Sequence, residues 1–331
     1  MPMAFAGKIN DIHIRPIDVR KDVLPIANLI ELCFSLTLDS EGHEYLRQIR
    51  QVAHNPFAIH WVSGCNERVS YPMHGYVWEE NGRIIGNLSM IPHIVHGRWI
   101  YLIANVAVHP EYRRRGIARL LTLKALEHIR DHSVSSAWLQ VRADNPGAHK
   151  LYVDLDFRER ARRTTWQSQI PPEPSQKHSN QLAINSRSLR DWELQYTWLK
   201  AIYPPEVAWH IPFRPESLSP DLWQSIVRFF NGEEIHHWAA RHKGELIGLV
   251  SWQPRLQPTD TLWVATIPQW EEKALHALLP KVRKDRQYNR PMTVNYPSGR
   301  AEEAFLNAGF APLHTLVWME ISFEPQNPIF K

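Results

Sequence analysis

The sequence has few cysteines and no long apolar run. Only two of its 331 residues are cysteine, Cys33 and Cys65, and neither has the spacing of a metal or redox motif. We therefore expect two packing thiols in a reducing compartment. No stretch reaches the roughly 18 apolar residues that a membrane helix needs, and the first ten residues lack the apolar core of a signal peptide. These absences predict a cytoplasmic protein without a membrane segment or a disulfide framework.

Strong charge is also absent. The 38 Lys and Arg residues against 34 Asp and Glu give a net charge of +4, too small and too evenly spread to indicate nucleic-acid binding. Eighteen histidines are present, but pairs such as His236 and His237 lack helical ligand spacing with supporting Cys or carboxylates. We predict no metal ion. The content of 44% hydrophobic and 22% charged residues is that of an ordinary globular protein.

The length predicts two domains, because a single hydrophobic core seldom keeps growing beyond roughly 250–300 residues. The segment from Ile170 to Asn180 reads IPPEPSQKHSN, which is rich in proline and polar residues and has no apolar period. Such a segment is typical of a semi-extended connector. We therefore predict one domain over residues 1–170 and a second over residues 181–331.

The first half predicts an α/β domain with a mixed sheet. Two strand-like runs, 74–80 and 83–90, are joined by Asn81-Gly82, the strongest short-range hairpin signal. A third strand-like run, 99–108, ends at His109-Pro110, and apolar residues then recur at helical spacing. A further strand is predicted over 138–143 and a short helix over 148–153.

The second half repeats this order. A hairpin is predicted around Lys243-Gly244, with Gly248 in the place of Gly86. Residues 261–267 and Pro268 correspond to the strand that ends at Pro110. The segment 301–310 corresponds to 148–157 and sets Phe305 opposite Tyr152. Two copies of one fold explain this pattern; chance similarity between α/β units is the alternative.

The strand ending at Val108 leads into a basic glycine turn and then a helix. This arrangement aims unpaired backbone N–H groups and the positive end of the helix dipole at one point, which suits a pyrophosphate. Gly116 allows close backbone approach, Ala118 keeps the first helical turn uncrowded, and Arg113 to Arg115 add positive charge. The alternative is a solvated basic loop before an ordinary helix.

The turn and the segment after the next strand resemble the GNAT acyltransferase superfamily. Its acyl-CoA signature, Arg or Gln, two residues, Gly, one residue, Gly or Ala, stands here as Arg113-Arg114-Arg115-Gly116-Ile117-Ala118. Its following motif is matched at Asn145, Ala148, Leu151, Tyr152 and Phe157, with Asp156 where glycine is usual. The resemblance is specific over about residues 74–165. It implies two tandem GNAT-like domains and acetyl-CoA as co-substrate.

The resemblance also implies roles for individual residues. The backbone at Val106 and Val108 pairs with the pantetheine arm, and Arg113, Arg114, Arg115, Gly116, Ile117 and Ala118 hold the pyrophosphate. Asn145 contacts the coenzyme, although a turn or cap role is equally open for it. Tyr152 points its hydroxyl at the sulfur, where a phenol can serve as general acid for the departing thiolate; a packing aromatic is the alternative.

The general base is not given by the resemblance. Many relatives carry a glutamate just before the Val-x-Val segment, whereas this chain has Ala104 and Asn105 there. Glu79, Glu80 and His109 are the nearby titratable candidates, and a chain of ordered water is another. Because approximation of the reactants can itself supply several kcal/mol, a weakly defined base does not exclude activity.

The second half lacks the basic turn. Pro268-Gln269-Trp270-Glu271-Glu272 places acidic residues where phosphates would lie, and Phe305 replaces the tyrosine. We expect this copy to have lost acyl-CoA chemistry and to complete the acceptor site or stabilise the pair. The expected activity is transfer of an acetyl group to a small-molecule or protein amine by direct attack. A homodimer is compatible with this reading. The alternatives are a non-catalytic acyl-CoA-binding module and an RNA-associated acyl or aminoacyl transferase.

Overall fold

A computed structural model describes residues 12–35, 37–38, 40–54, 74–95, 97–132, 134–169, 182–211, 214–221, 235–253, 259–285 and 290–323. The predicted connector at 170–180 and Cys65 lie outside these residues. The strands are β1 (Ile14–Pro16), β2 (Gly75–Glu80), β3 (Arg83–Val95), β4 (Arg98–Val108), β5 (Ser136–Arg142), β6 (Arg158–Ser168), β7 (Ala183–Asn185), β8 (His236–His242), β9 (Glu245–Trp252), β10 (Asp260–Thr266), β11 (Met292–Pro297) and β12 (Phe310–Ser322).

The helices are α1 (Val19–Phe34), α2 (Ser40–Ala53), α3 (Ile117–Asp131), α4 (Pro146–Val153), α5 (Trp192–Ile202), α6 (Pro205–Ala208), α7 (Glu271–Asp285) and α8 (Glu302–Asn307). Short 3₁₀ segments cover Pro110–Tyr112, Leu189–Asp191, Pro215–Leu218 and Pro268–Trp270. Within the described residues, no helix combines the length and apolar character needed to cross a membrane.

The chain divides into two compact units. Unit 1 comprises Met1–Val141, Asn145–Glu159 and Trp318–Lys331; unit 2 comprises Arg142–Asp144 and Arg160–Val317. Both units are mixed α/β structures, which confirms the predicted fold class.

In unit 1 the strands lie in the order β1-β2-β3-β4-β5, and the end of β12 lies beside β5. The predicted hairpin is confirmed: Glu80 pairs with Arg83 around Asn81 and Gly82, whose φ angles of 49° and 74° suit a tight turn. Strands β2, β3 and β4 are antiparallel, and β5 runs parallel to β4.

Helices cover both faces of this sheet. Helix α3 buries Ile117, Leu121, Ala125 and Ile129, the helical stripe predicted from the sequence. It approaches so closely that a Cβ at Gly86 would stand 2.9 Å from Ile117 Cγ2. Val77, which points to the face opposite its neighbour Trp78, packs in a core with α1 and α2. The sheet is therefore held between α3 on one side and the α1–α2 pair on the other.

Unit 2 repeats this arrangement, with strand order β12-β6-β11-β10-β9-β8-β7. The hairpin β8–β9 turns at Lys243 and Gly244, as predicted, and β10 and β11 are parallel around α7. A Cβ at Gly248 would stand 2.9 Å from Ala274 Cβ on α7, just as one at Gly86 would meet α3. The same close approach at corresponding positions supports two copies of one fold over chance similarity.

The predicted boundary at 170–180 stays a prediction, and the two compact units are not continuous in the sequence. Strand β6 follows the first copy in the sequence, yet residues 160–168 belong to unit 2. Conversely, Trp318–Ser322 at the end of the last strand belongs to unit 1. Each unit thus contains strand residues from the end of the other sequence copy. Local sequence patterns cannot reveal this, because they predict a strand but not the sheet that it joins.

Candidate functional site

Strands β4 and β5 separate after a short parallel ladder. Pairing runs from Ile100–Ser136 to Ile103–Leu139, whereas β4 continues to Val108. In the described part of the chain, the edge of residues 104–108 that faces β5 therefore has no strand partner. The predicted coenzyme-binding positions Val106 and Val108 lie on this stretch. Unpaired strand edges are suited to pairing with an extended ligand.

A β-bulge accompanies the separation. Asn105 has φ 52°, a left-handed conformation that asparagine tolerates better than most residues. Asn87 Nδ2 donates to the Asn105 carbonyl at 2.9 Å, and Asn105 Nδ2 donates to the Tyr45 hydroxyl at 2.7 Å and to Ser89 Oγ at 3.4 Å. Asn87 is fully buried, and its Oδ1 has no partner among the described residues. Of these residues, the sequence marks only Asn105, as a departure from the family pattern, and no motif connects it with Asn87, Ser89 or Tyr45.

The predicted phosphate turn, Arg113 to Gly116, leads into α3. Gly116 is the N-cap with φ 79° and ψ 0°, and no side chain caps the helix. The first helical hydrogen bond runs from Leu120 N to the Gly116 carbonyl at 3.0 Å. The N–H groups of Ile117 and Ala118 precede that bond and so have no partner within the helix. Apart from the two chain neighbours of Gly116, no described residue has an atom within 4 Å of where a Cβ on Gly116 would stand. The turn is therefore open to an anion.

The three arginines of the turn have different surroundings. Arg113 Nε donates to the Val108 carbonyl at 3.2 Å, which also accepts from Cys33 Sγ at 3.2 Å. Arg115 forms an ion pair with Glu80 at 2.8 Å. Arg114 is exposed, has φ 65°, and makes no hydrogen bond or ion pair in the part of the chain that the structure describes. Two of the three cations are thus already engaged by the protein.

Tyr152 lies on α4 and is 5% exposed. Its ring meets Phe157 edge-on, with centroids 5.8 Å apart. Burial raises the pKa of Tyr152 above its ordinary value. The hydroxyl has no hydrogen-bond partner among the described residues, so it is a protonated donor not committed to the protein. Its predicted position at the coenzyme sulfur stays a prediction.

Asn145 is the N-cap of α4. Its Oδ1 accepts from Ala148 N at 3.0 Å. The cap role that the sequence left open is therefore present. Contact with the coenzyme stays a prediction for this residue.

Comparison with known proteins identifies this region. The sequence profile of the acetyltransferase (GNAT) family matches residues 33–157. Residues 33–157, which include the glycine turn and Tyr152, thus match a GNAT domain. A 55-residue segment is 40% identical to ribosomal protein bS18 alanine N-acetyltransferase of Escherichia coli strain K12, a match that covers 17% of this chain and 37% of that enzyme.

Solved GNAT structures have the same fold over most of the chain. A GCN5-related N-acetyltransferase from Sphaerobacter thermophilus aligns with a TM-score of 0.57 and 17% identity, over 95% of this chain and 97% of that chain. The glucosamine N-acetyltransferase region of a fungal multi-domain β-N-acetylglucosaminidase aligns with a TM-score of 0.56 and 10% identity, over 93% of this chain and 38% of that chain. At these identities the likeness concerns the fold alone.

The three candidate bases of the GNAT domain lie in two places. Glu79 and His109 line a cavity of about 580 Å³, where Glu79 is paired with Arg15 at 2.5 Å. His109 Nδ1 is buried without a partner among the described residues. Glu80 instead lies against the phosphate turn. A hydrogen bond from the Trp78 indole and the ion pair with Arg115 lower its pKa. A carboxylate with these partners and a lowered pKa is a poor proton acceptor.

The corresponding turn in unit 2 is filled by its own side chains. Glu271 accepts a hydrogen bond from the Tyr296 hydroxyl and pairs with Arg300 at 2.9 Å. Glu272 Oε1 accepts from Ala304 N at 2.7 Å. Phe305 is fully buried and stacks on Trp166 with centroids 5.0 Å apart. Carboxylates thus occupy the helix start where the GNAT domain has its glycine turn.

Glu272 also belongs to a group of three potential metal ligands, with His276 and Glu303, whose ligand atoms lie within 4.8 Å of one another. Within this group His276 Nε2 pairs with Glu272 Oε1 at 3.7 Å. The contact between His276 and Glu272 and the helix-capping bond from Ala304 N explain the geometry without a metal ion. Absence of a bound metal stays a prediction.

Proposed function

We propose that the GNAT domain transfers an acetyl group from acetyl-CoA to a primary amine by direct attack. The observation that carries this proposal is the continuous path formed by the unpaired edge of β4 and the open glycine turn that follows it. An extended pantetheine arm would add to the strand edge at Val106, and the pyrophosphate would meet the N–H groups of Ile117 and Ala118. Bound acetyl-CoA would supply the activated acyl group as a thioester.

The turn and strand edge fit such a co-substrate on physical grounds. The turn offers unpaired N–H groups, a helix dipole and an uncommitted cation at Arg114, all of which favour a phosphate. The Val108 carbonyl already accepts hydrogen bonds from Cys33 Sγ and Arg113 Nε, so it is less available to the pantetheine arm than the backbone of Val106. We therefore assign the pairing role chiefly to Val106.

Tyr152 is the proposed general acid. The departing thiolate needs a proton, and a phenol whose pKa is raised by burial stays protonated throughout the neutral range. Cys33 is a poor candidate for a covalent relay, because burial also raises the pKa of its thiol and its Sγ donates to Val108. The base is left to His109 or ordered water, since Glu80 is paired with Arg115 and Glu79 with Arg15.

For the acceptor we propose an amine of a protein N-terminus or of a small molecule. The similar bacterial enzyme is named for the alanine of a ribosomal protein, and the similar fungal region is named for glucosamine. The 40% identity over 55 residues favours a protein N-terminus. Neither similarity concerns the acceptor pocket of this chain. The same proposal gives residues 181–331 either an acceptor-site role or a stabilising role.

Two measurements test the function. Calorimetry with coenzyme A tests the turn, and thiol release from acetyl-CoA tests transfer to a peptide with N-terminal alanine, glucosamine and spermidine. We expect the protein to bind coenzyme A and to release thiol from acetyl-CoA with at least one of these amines. Tyr152→Phe should slow that release. Binding without release by any amine favours the alternative, a non-catalytic acyl-CoA-binding module. Lack of binding by the folded protein contradicts both.

A further inference from the structure

Glu80 holds one arginine of the phosphate turn. Arg115 Nη2 donates to Glu80 Oε1 at 2.8 Å and Nη1 donates to Oε2 at 3.3 Å. The carboxylate also accepts from Trp78 Nε1 at 3.1 Å. The Glu80 side chain is only 14% exposed, whereas that of Arg115 is 49% exposed. The acid is therefore fixed in place by the sheet, and the arginine reaches back to it from the turn.

This arrangement places a negative charge next to an anion site. Arg115 directly precedes Gly116, the residue around which the unpaired N–H groups converge. Its guanidinium also lies over the Tyr112 ring, 5.2 Å from the centroid. A guanidinium has five N–H donors, of which Glu80 takes two. A phosphate in the turn would have to share the Arg115 guanidinium with Glu80 or take the place of Glu80 on it. In either case the phosphate would lie close to the negative Glu80 carboxylate.

We propose that Glu80 is an affinity-setting residue of the phosphate turn, whose carboxylate competes with the coenzyme phosphates for Arg115. This proposal rests on the proposed function, because it requires coenzyme A to bind at the turn. It assigns Glu80 to coenzyme binding in place of general-base catalysis. Its consequence is unusual for a side chain beside a binding site: removing the charge should improve binding.

The decisive variant is Glu80→Gln, which keeps the shape and an oxygen acceptor for the Trp78 indole but removes the charge. Calorimetry with coenzyme A at low ionic strength should show about two- to fivefold tighter binding, the range expected for one ion pair near the protein surface. The gain should shrink as salt is added, because exposed charges are screened. Loss of a purely structural contact is expected to weaken binding or leave it unchanged, so tighter binding points to charge competition.

Three further variants control the measurement. Glu111→Gln removes an equal charge from an exposed residue of the preceding 3₁₀ segment, which does not hold Arg115, and it should tighten binding less. In an Arg115→Gln background, Glu80→Gln should have a smaller effect, because the contested guanidinium is gone. Glu80→Ala, which lacks the acceptor for Trp78, should still bind more tightly than wild type if charge competition outweighs positioning.

The outcomes are distinct. Wild-type protein that does not bind coenzyme A overturns the proposed function and this inference with it. Wild-type protein that binds, combined with unchanged or weaker binding by a folded Glu80→Gln variant, overturns only the inference. Equal tightening by Glu111→Gln also overturns it, since the effect would then be general charge and not competition for Arg115.

Discussion

The phosphate turn gives the sharpest prediction, through Gly116→Ala. Gly116 has φ 79°, so an alanine there must adopt the left-handed conformation, at a cost of about 1–2 kcal/mol. Apart from the two chain neighbours, no described residue has an atom within 4 Å of the new methyl group, so no clash adds to this cost. The thermal midpoint should therefore fall by only a few degrees, and the variant should stay folded.

Coenzyme binding should suffer much more than folding. The open space in front of Gly116 is where the pyrophosphate must approach the N–H groups of Ile117 and Ala118, and the methyl group would occupy it. We expect calorimetry to show binding of coenzyme A weakened by at least about tenfold, which corresponds to about 1.4 kcal/mol.

Gly97→Ala is the matched control. Gly97 lies in the turn between β3 and β4, has φ 74°, and likewise has no described atom beyond its chain neighbours within 4 Å of the position that a new methyl group would take. Both variants should lose similar stability, and only Gly116→Ala should lose affinity. Unchanged coenzyme affinity in Gly116→Ala, or an equal loss in Gly97→Ala, would refute the assignment of this turn to phosphate.

Three other predictions concern catalysis and stability. Tyr152→Phe should lower kcat at saturating acetyl-CoA by about ten- to a thousandfold with unchanged coenzyme affinity; a wild-type kcat would leave Tyr152 a packing residue. Burial raises the pKa of Tyr203, so the folded protein favours its neutral form. The free energy of unfolding should therefore fall above about pH 10, by up to about 1.4 kcal/mol per pH unit. Urea unfolding at pH 8 and 10.5 should show a smaller fall for Tyr203→Phe. Arg163 is 3% exposed and donates hydrogen bonds to three oxygens. Arg163→Ala should therefore lower the free energy of unfolding in urea by about 3 kcal/mol or more. A loss below about 1 kcal/mol would contradict the stabilising role of these bonds.

The sequence was a good guide wherever a few adjacent residues decide the conformation. Asn81-Gly82 forms the expected hairpin, Gly116 begins α3 in the left-handed conformation, and Asn145 caps α4. Gly86 and Gly248 mark corresponding close approaches in the two copies. Each of these features depends on backbone preferences or on the absence of a Cβ, which can be recognised without knowing the tertiary contacts.

The sequence was a poor guide to the partners of the charged and polar groups. Glu80 was a candidate base because the predicted sheet placed it nearby, but its partner Arg115 lies 35 residues further along the chain. Tyr45 reaches Asn105 from 60 residues away, and no motif connects them. Such pairs depend on which strands and helices pack together, so the identity of the base could not be obtained from spacing alone.

The sequence by itself determined the class of the protein: two α/β copies, of which the first has the glycine turn and the second has acids in its place. These properties are local, because a turn or a helix start is specified by neighbouring residues. Only the tertiary structure decided which sheet the strands β6 and β12 join, where β4 leaves β5, and which arginine is held by Glu80. The reason is physical: strand pairing and ion pairing join residues far apart in the chain, and their free energy depends on the packed geometry of both partners.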